Sequence, residues 1–178
     1  MSRIGKQEII IPDKVTVSLV DGLLTVTGPL GELKRVFKPE IVISIADGKI
    51  TMVPAKVNKQ TSALWGTYGS HVQNMIEGVT KGFIKTLLIE GVGYRYAVAG
   101  TKVVLNIGFS HPVEIEIPAG LKVEAVKAEM KISGFDKELV SGFAAKIRSQ
   151  KSVEPYKGKG IRYVGEFVRR KQGKKSST

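Results

Sequence analysis

The sequence predicts an α+β protein, built as a tandem duplication of two small domains, each an antiparallel β-sheet packed by one α-helix, with a basic C-terminal tail. Three observations support this fold class. Apolar residues alternate along short stretches of both halves of the 178-residue chain, which is the period of half-buried strands. One stretch of helical period follows the strands in each half. A single register, which places Gly28 on Gly108, also aligns the two halves without a gap.

Strand and turn signals dominate the first half. Apolar residues alternate at 9–11, 15–19 and 41–45. The pairs Asp21-Gly22 and Asp47-Gly48 each separate two strand-like runs. Asp-Gly between such runs is a strong signal for a tight β-hairpin, so we predict a hairpin at each pair.

A helix is predicted after Pro54. Its apolar positions step by four, four, three and four residues, as on one helical face: Leu64, Tyr68, Val72, Met75 and Val79. Asn58 is the expected N-cap, and Gly78 is the expected end. Trp65 and Ile76 widen the apolar face. Because the helical period explains these aromatic residues without a ligand, we interpret them as core and not as a stacking platform.

The second half repeats this order. Strand-like alternation covers residues 84–88, 103–107 and 113–117, and Asp136 is expected to cap a second helix. The apolar positions of that helix are Leu139, Val140, Phe143, Ala144 and Ile147.

One constant offset between the two halves, which we call the repeat register, defines the internal repeat. It aligns Gly28 with Gly108, Leu33 with Val113, Phe37 with Ile117, Ile41 with Leu121, Ile43 with Val123, Ile45 with Ala125, Ile50 with Met130 and Met52 with Ile132. A rival offset, which aligns Pro12 with Pro118 and Gly28 with Gly134, leaves the first helix without a counterpart. We therefore predict a first repeat over residues 1–81, a second over 82–152, and a basic C-terminal segment and tail over 153–178.

Charge composition indicates an anionic partner. Lys and Arg number 28 against 16 Asp and Glu, which gives a formal net charge of +12. Nucleic acid, an anionic membrane surface or an acidic protein would each fit. The apolar runs are far shorter than the roughly 20 residues that span a bilayer, and no secretory signal is visible, so we expect no membrane partner. The chain has no cysteine, which excludes disulfides and thiolate metal sites and is compatible with a cytoplasmic protein.

The positive charge is concentrated at the C-terminal end. Residues 149–178 contain only two acids, Glu154 and Glu166, against nine basic residues: Lys151, Lys157, Lys159, Arg162, Arg169, Arg170, Lys171, Lys174 and Lys175. The tail after Phe167 has no apolar period, so we expect it to be mobile alone and to become ordered on binding.

Within this region, lysines alternate with glycines and a tyrosine closes each side: Glu154-Pro155-Tyr156-Lys157-Gly158-Lys159-Gly160-Ile161-Arg162-Tyr163. Lysines can contact phosphates, and glycines, which have no Cβ, let a backbone approach a partner closely. The tyrosines could stack on exposed bases or could pin the loop to the second domain. The alternative for the whole segment is a solvated surface loop.

This segment, followed by Glu166 and the run Arg169-Arg170-Lys171, resembles the C-terminal signature of the bacterial large-subunit ribosomal protein L-six family. The chain length and the N-terminal Ser2-Arg3-Ile4-Gly5 are also similar to that family, and the resemblance covers essentially the whole chain. It implies two related domains and a structural role in the large ribosomal subunit. It further implies binding to large-subunit ribosomal RNA near the sarcin–ricin region and the translation-factor site, among neighbouring ribosomal proteins, in the cytoplasm.

Candidate RNA-binding residues follow from the charge and the resemblance together: Arg3, Lys6, Tyr156, Lys157, Gly158, Lys159, Gly160, Arg162, Tyr163, Arg169, Arg170, Lys171, Lys174 and Lys175. A free-standing nucleic-acid-binding regulator with no ribosomal role is the alternative function.

Catalytic and metal motifs are not evident. His71 and His111 do not belong to a spaced set of His, Cys or acidic residues of the kind that binds a metal ion. Gly91-Val92-Gly93 lacks the third glycine of a dinucleotide-binding fingerprint. The glycines around Lys159 are not followed by the Ser or Thr of a phosphate-binding loop. We therefore predict no enzymatic activity, no cofactor and no metal site.

Overall fold

The computed structural model describes residues 5–126 and 128–173. The chain divides into two compact units. The first runs to Gly82 and takes in Phe135–Lys137, and the second begins at Phe83 and contains the remaining residues. Within the described residues, neither helix has the length and hydropathy required to cross a bilayer.

The first unit contains six strands and one helix among its described residues: β1 Ile9–Ile10, β2 Thr16–Val20, β3 Leu23–Gly28, β4 Gly31–Val36, β5 Ile41–Ala46, β6 Lys49–Pro54 and α1 Lys59–Thr80. The strands form two antiparallel sheets, in the orders β1-β6-β5 and β2-β3-β4.

The two predicted Asp-Gly hairpins are present. Asp21 and Gly22 have φ angles of 49° and 77°, and Asp47 and Gly48 have φ angles of 51° and 70°. Positive φ at both central residues is the requirement of a type I′ turn, whose twist matches that of the flanking strands. These turns set the registers β2–β3 and β5–β6.

Helix α1 begins at the predicted cap. The Asn58 side chain accepts a hydrogen bond of 2.7 Å from the Thr61 N–H, and the Thr61 hydroxyl oxygen accepts one of 2.9 Å from the Asn58 N–H. This reciprocal pair satisfies two backbone donors that have no partner inside the helix. The predicted end at Gly78 is wrong, because the helix continues to Thr80. The glycine that ends it is Gly82, whose φ of 73° allows its N–H to donate to the Gly78 carbonyl.

The apolar face of α1 packs on the strands of the first unit, as predicted. Val72 and Val79 are fully buried, and Trp65 is 8% exposed. The Trp65 indole N–H donates a 2.8 Å hydrogen bond to the Met52 carbonyl, so the ring is a core residue with its polar atom satisfied.

The second unit contains the remaining elements: β7 Phe83–Glu90, β8 Arg95–Ala99, β9 Lys102–Asn106, β10 Val113–Glu116, β11 Leu121–Val126, β12 Glu129–Gly134, α2 Lys137–Gln150 and β13 Gly160–Tyr163. Its strands form the antiparallel sheets β10-β9-β8 and β11-β12-β7-β13. Helix α2 starts directly after Asp136. Leu139, which we predicted on the apolar face, is 41% exposed because it lies in the first turn, before the buried stretch that begins at Val140.

The predicted duplication is confirmed. Strands β11 and β12 begin and end at the positions that the repeat register assigns to β5 and β6. The strand pairings also correspond, since Ile43 pairs with Met52 and Val123 pairs with Ile132. In each unit the strands are divided between two sheets, a detail that alternation alone does not specify. Ile45, predicted on the buried side, is 38% exposed because it lies at the end of β5, next to the hairpin.

Candidate nucleic-acid interface

The segment of alternating lysines and glycines, residues 154–163, is here called the Lys-Gly segment. Its C-terminal part is fixed to the second unit. Strand β13 pairs with β7, from Gly160 opposite Glu90 to Tyr163 opposite Leu87. Ile161 is fully buried in the core of this unit, and its N–H donates to the Lys151 carbonyl at 2.9 Å. The buried Ile161 side chain and the pairing with β7 hold the start of β13 in place. The C-terminal end of the loop before β13 is therefore fixed in position.

The loop itself closes through two backbone hydrogen bonds. The Glu154 N–H donates to the Lys159 carbonyl at 2.8 Å, and the Gly158 N–H donates to the Glu154 carbonyl at 3.1 Å. Closure places Lys157 on the exposed side, beside Tyr156, which is 55% exposed. Lys159 is half-buried.

Both glycines of the loop have a positive φ, which L side chains rarely adopt, and Gly160 also lies against the backbone. Gly158 has a φ of 74°, and a Cβ there would lie 2.8 Å from Nη2 of Arg170. Gly160 has a φ of 141°, and its Cβ would lie 2.7 Å from the Ser152 carbonyl oxygen and from the Val153 Cα. We expected these glycines to give a partner close access to the backbone. At Gly160 that space is filled by the protein's own backbone, whereas at Gly158 it holds the end of the exposed Arg170 side chain.

Arg162 is engaged within the protein. Its Nη2 donates to Oε1 of Glu90 at 2.6 Å, and its Nη1 donates to the Glu166 carbonyl at 3.4 Å. Its side chain is only 25% exposed. The guanidinium that we predicted as a phosphate contact therefore already has two protein acceptors.

The two tyrosines of the segment differ. Tyr163 is half-buried against the core of the second unit, with Nζ of Lys85 5.9 Å and Cζ of Arg148 5.6 Å from its ring centroid. Tyr163 therefore contributes to holding β13 on the protein, whereas Tyr156 has no ring contact of this kind among the described residues and keeps much of its surface exposed. The sequence is compatible with either role for both tyrosines: stacking on a base or packing on the second domain. The structure favours packing for Tyr163 and leaves Tyr156 accessible for stacking.

An ion pair fixes the chain after β13. Arg148 of α2 contacts both carboxylate oxygens of Glu166, with Nε 3.1 Å from Oε2 and Nη2 beside Oε1. Oε2 also accepts a 3.0 Å hydrogen bond from the Tyr163 N–H. These bonds, from Arg148 first and then from the backbone, lower the pKa of Glu166 below its usual value, and the same pair raises the pKa of Arg148.

The start of the tail folds back on the loop. The Lys171 N–H donates to the Pro155 carbonyl at 2.8 Å, and Arg170 covers Gly158. The tail after Phe167 was expected to be mobile in the absence of a partner. Its described part up to Lys171 instead packs against the loop. The side chains of Arg169 and Lys171 are exposed, and neither has an acidic partner among the described residues.

The other predicted residues lie elsewhere. Lys6 is exposed in the first unit, while Arg3, Lys174 and Lys175 lie outside the described residues. His71 is in α1, and His111 is in the loop between β9 and β10. The described part of the chain brings together no group of three His, Cys, Asp or Glu that could hold a metal ion.

Sequence reasoning missed the residues that position this segment. Glu90 and Arg148 each pair with a residue of the C-terminal region, across 72 and 18 positions of sequence respectively. No local pattern marks such a pair. The one usable signal was Glu166, one of only two acids in a strongly basic stretch, since an acid in such surroundings favours an internal basic partner.

Fold and charge together define a class: a small, basic, internally duplicated α+β protein whose second unit carries an exposed cationic loop. A family model described as Ribosomal protein L6 matches residues 11–82 and 90–164, which correspond to the two repeats. The chain belongs to the ribosomal protein L6 family, as its C-terminal signature indicated. This family is a structural component of ribosomes and not a family of enzymes.

Curated relatives match along nearly the full length. Large ribosomal subunit protein uL6 of Shouchella clausii is 50% identical over 175 residues, which cover 98% of each chain. The protein of the same name from Gloeothece citriformis is 48% identical over 175 residues, again 98% of each chain. The one from Methylorubrum populi is 44% identical over 176 residues, 98% of this chain and 99% of the relative.

Proposed function

We propose that this protein is a structural constituent of the large ribosomal subunit and that it binds large-subunit ribosomal RNA through the C-terminal region of its second unit. The relatives' printed name, Large ribosomal subunit protein uL6, supports the ribosomal part of the proposal. In a bacterial cell this role places the protein in cytoplasmic ribosomes, in contact with RNA and with neighbouring ribosomal proteins.

The observation that supports RNA binding is a group of exposed cations without acidic partners on and beside the loop before β13. Lys157, Arg169 and Lys171 are exposed cations without acidic partners among the described residues. Lys157 lies beside the exposed Tyr156 on the loop that precedes β13, and Arg169 and Lys171 lie in the start of the tail, which folds back on this loop. Elsewhere several lysines are paired with carboxylates across 2.6–3.0 Å: Lys34 with Glu32, Lys49 with Glu8, Lys102 with Glu114 and Lys122 with Glu124. Unpaired cations on a fixed loop are available for phosphates and lose little conformational freedom on binding.

The chemistry of these groups suggests how RNA is held. Lysines contact phosphates as point charges, and the planar guanidinium of Arg169 can bind a phosphate in bidentate fashion. The exposed face of Tyr156 can stack on an unpaired base. Double-helical RNA presents a wide minor groove and two phosphate ridges, so recognition is mainly of shape. The resemblance in the C-terminal segment adds a position near the sarcin–ricin region, beside the translation-factor site.

A sucrose gradient tests the ribosomal assignment against a free-standing regulator. At moderate salt the tagged full chain should sediment with large subunits and remain with them after the subunits are separated. A truncated variant lacking Arg169–Thr178 should be partly released from the large subunits, because it loses several cations. Recovery of the full chain only at the top of the gradient would contradict the ribosomal role and favour the regulator.

A further inference from the structure

The loop between β9 and β10 differs from its counterpart in the first unit. In the first unit, β3 and β4 are joined by two residues, Pro29 and Leu30, and the Leu30 N–H donates to the Val79 carbonyl in the last turn of α1 at 3.1 Å. In the second unit, the equivalent connection spans residues 107–112 and presents Phe109. The repeat register places Phe109 on Pro29, so an aromatic ring stands where the first repeat has a turn proline.

The position of Phe109 is fixed by its neighbours along the chain. Ile107, two residues earlier, is fully buried in the core of the second unit. Gly108 has a φ of 85°, and a Cβ there would lie 3.4 Å from the ring of Tyr94. Val113, at the other end, packs against the core and begins β10. The loop is therefore anchored at both ends, while the Phe109 side chain is 49% exposed.

A cation lies over this exposed ring. Nζ of Lys151 is 5.2 Å from the Phe109 ring centroid, within the range of a cation–π contact. Lys151 follows the last residue of α2, and its carbonyl accepts the Ile161 N–H at 2.9 Å. The Phe109 loop is thus joined, through one residue, to the base of the Lys-Gly segment. Lys151 has no carboxylate partner among the described residues.

We propose that the loop 107–112 is a second RNA contact, in which the Phe109 ring stacks on an unpaired nucleobase and the Lys151 ammonium meets an adjacent phosphate. An aromatic ring combined with a cation is the arrangement by which proteins hold single-stranded nucleotides, because stacking uses the base and the cation uses the backbone. The loop that carries Phe109 is anchored at both ends and about half of the Phe109 surface is exposed, so the ring is accessible for such stacking. This inference rests on the proposed RNA binding of the second unit and extends it from the C-terminal segment to a separate loop.

The matched variants follow from the duplication. Phe109→Leu keeps an apolar side chain and removes the ring, and Leu30→Ala changes the corresponding tip of the first repeat, where Leu30 is 50% exposed. Binding of full-length protein to protein-free large-subunit ribosomal RNA is measured against salt concentration. Phe109→Leu should weaken binding about tenfold, as loss of one stacked base does, with an unchanged salt slope. Lys151→Gln should make the slope shallower by roughly 0.7–0.9. Leu30→Ala should bind as the parent does.

The outcomes separate this inference from the proposed function. If the parent chain itself fails to bind the RNA, the proposed function fails. If the parent binds and Phe109→Leu binds equally well, the loop is not an RNA contact and the inference is wrong. Phe109→Trp provides a second readout that does not depend on a loss of binding. Its added fluorescence should be quenched by the RNA, relative to the parent's buried Trp65, and unchanged emission would overturn the stacking assignment.

Discussion

The two repeats share an interior and differ at the surface. Ile50 and Met130, which the repeat register aligns, are both fully buried at equivalent points of β6 and β12. Strand β5, in contrast, has no charged residue, whereas the equivalent β11 presents Lys122 and Glu124, paired at 2.7 Å. A duplicated fold is preserved by its buried positions, and its exposed positions are free to acquire different partners.

The sheets show the same contrast in their strand order. In the first unit β6 is flanked by β5 and the two-residue β1. In the second unit the equivalent β12 is flanked by β11 and the eight-residue β7, which takes up β13 on its other side. The longer strand therefore provides the attachment for the cationic C-terminal segment. The candidate interface is an addition to a shared scaffold.

The largest expected effect tests the equivalence of the two cores. Ile50→Ala and Met130→Ala each remove a fully buried side chain, so each should lower the free energy of unfolding by about 2–5 kcal/mol. Urea unfolding of full-length protein measures both. The half-buried pair Ile43→Ala and Val123→Ala serves as a control with smaller losses. If one member of the fully buried pair caused no loss, the two positions would not be equivalent.

A smaller loss of stability is expected from substitution of Gly160 in the second unit than from the core substitutions, and Gly48 in the first unit provides the comparison. Gly160→Ala would place a Cβ 2.7 Å from backbone atoms at a φ of 141°, so up to about 3 kcal/mol of stability should be lost, or β13 should detach. Gly48→Ala meets no atom within 4 Å and bears only the strain of a φ of 70°, about 1 kcal/mol. Thermal unfolding and hydrogen exchange of β13 amides check the pair. Equal losses would mean that the segment is not packed as described.

The smallest effect concerns the Arg148–Glu166 pair, which has no counterpart in the first unit's described residues. The pKa of Glu166 is lowered in the folded protein, so its contribution is present above the unfolded value of about 4.5 and is lost as pH falls through the folded pKa. Glu166→Gln should therefore reduce stability at neutral pH by about 1 kcal/mol, as for a partly exposed ion pair, and should flatten the acid-side loss. Unfolding free energies from pH 7 to pH 3 provide the measurement, with the exposed Asp13→Asn as control. A loss that did not depend on pH would contradict this role of the pair.

Sequence reasoning succeeded where the signal was local. The Asp-Gly turns, the Asn58 cap and the apolar face of α1 each depend on residues a few positions apart, and the repeat depends on a pattern that survives in both halves. Sequence reasoning could not identify contacts between residues that lie far apart in the sequence. Arg162 was predicted as a phosphate contact, and its hydrogen bond to Glu90, 72 residues away, could not be read from the sequence. The contact between Gly158 and Arg170 is likewise between residues of different segments. Strand β13 is four residues long, too short for its period to stand out among lysines and glycines.

The salt dependence of RNA binding tests most directly the claim that the second repeat carries the interface. The double variant Lys157→Gln, Lys159→Gln removes two cations of the loop, and Lys38→Gln, Lys56→Gln removes two exposed cations of the first unit. Since each phosphate contact contributes roughly 0.7–0.9 to the slope of log affinity against log salt, the loop variant should be shallower than the parent by about one to two units. The first-unit variant should keep the parent's slope. A loop variant with the parent's slope, or a first-unit variant that flattens it equally, would contradict the claim.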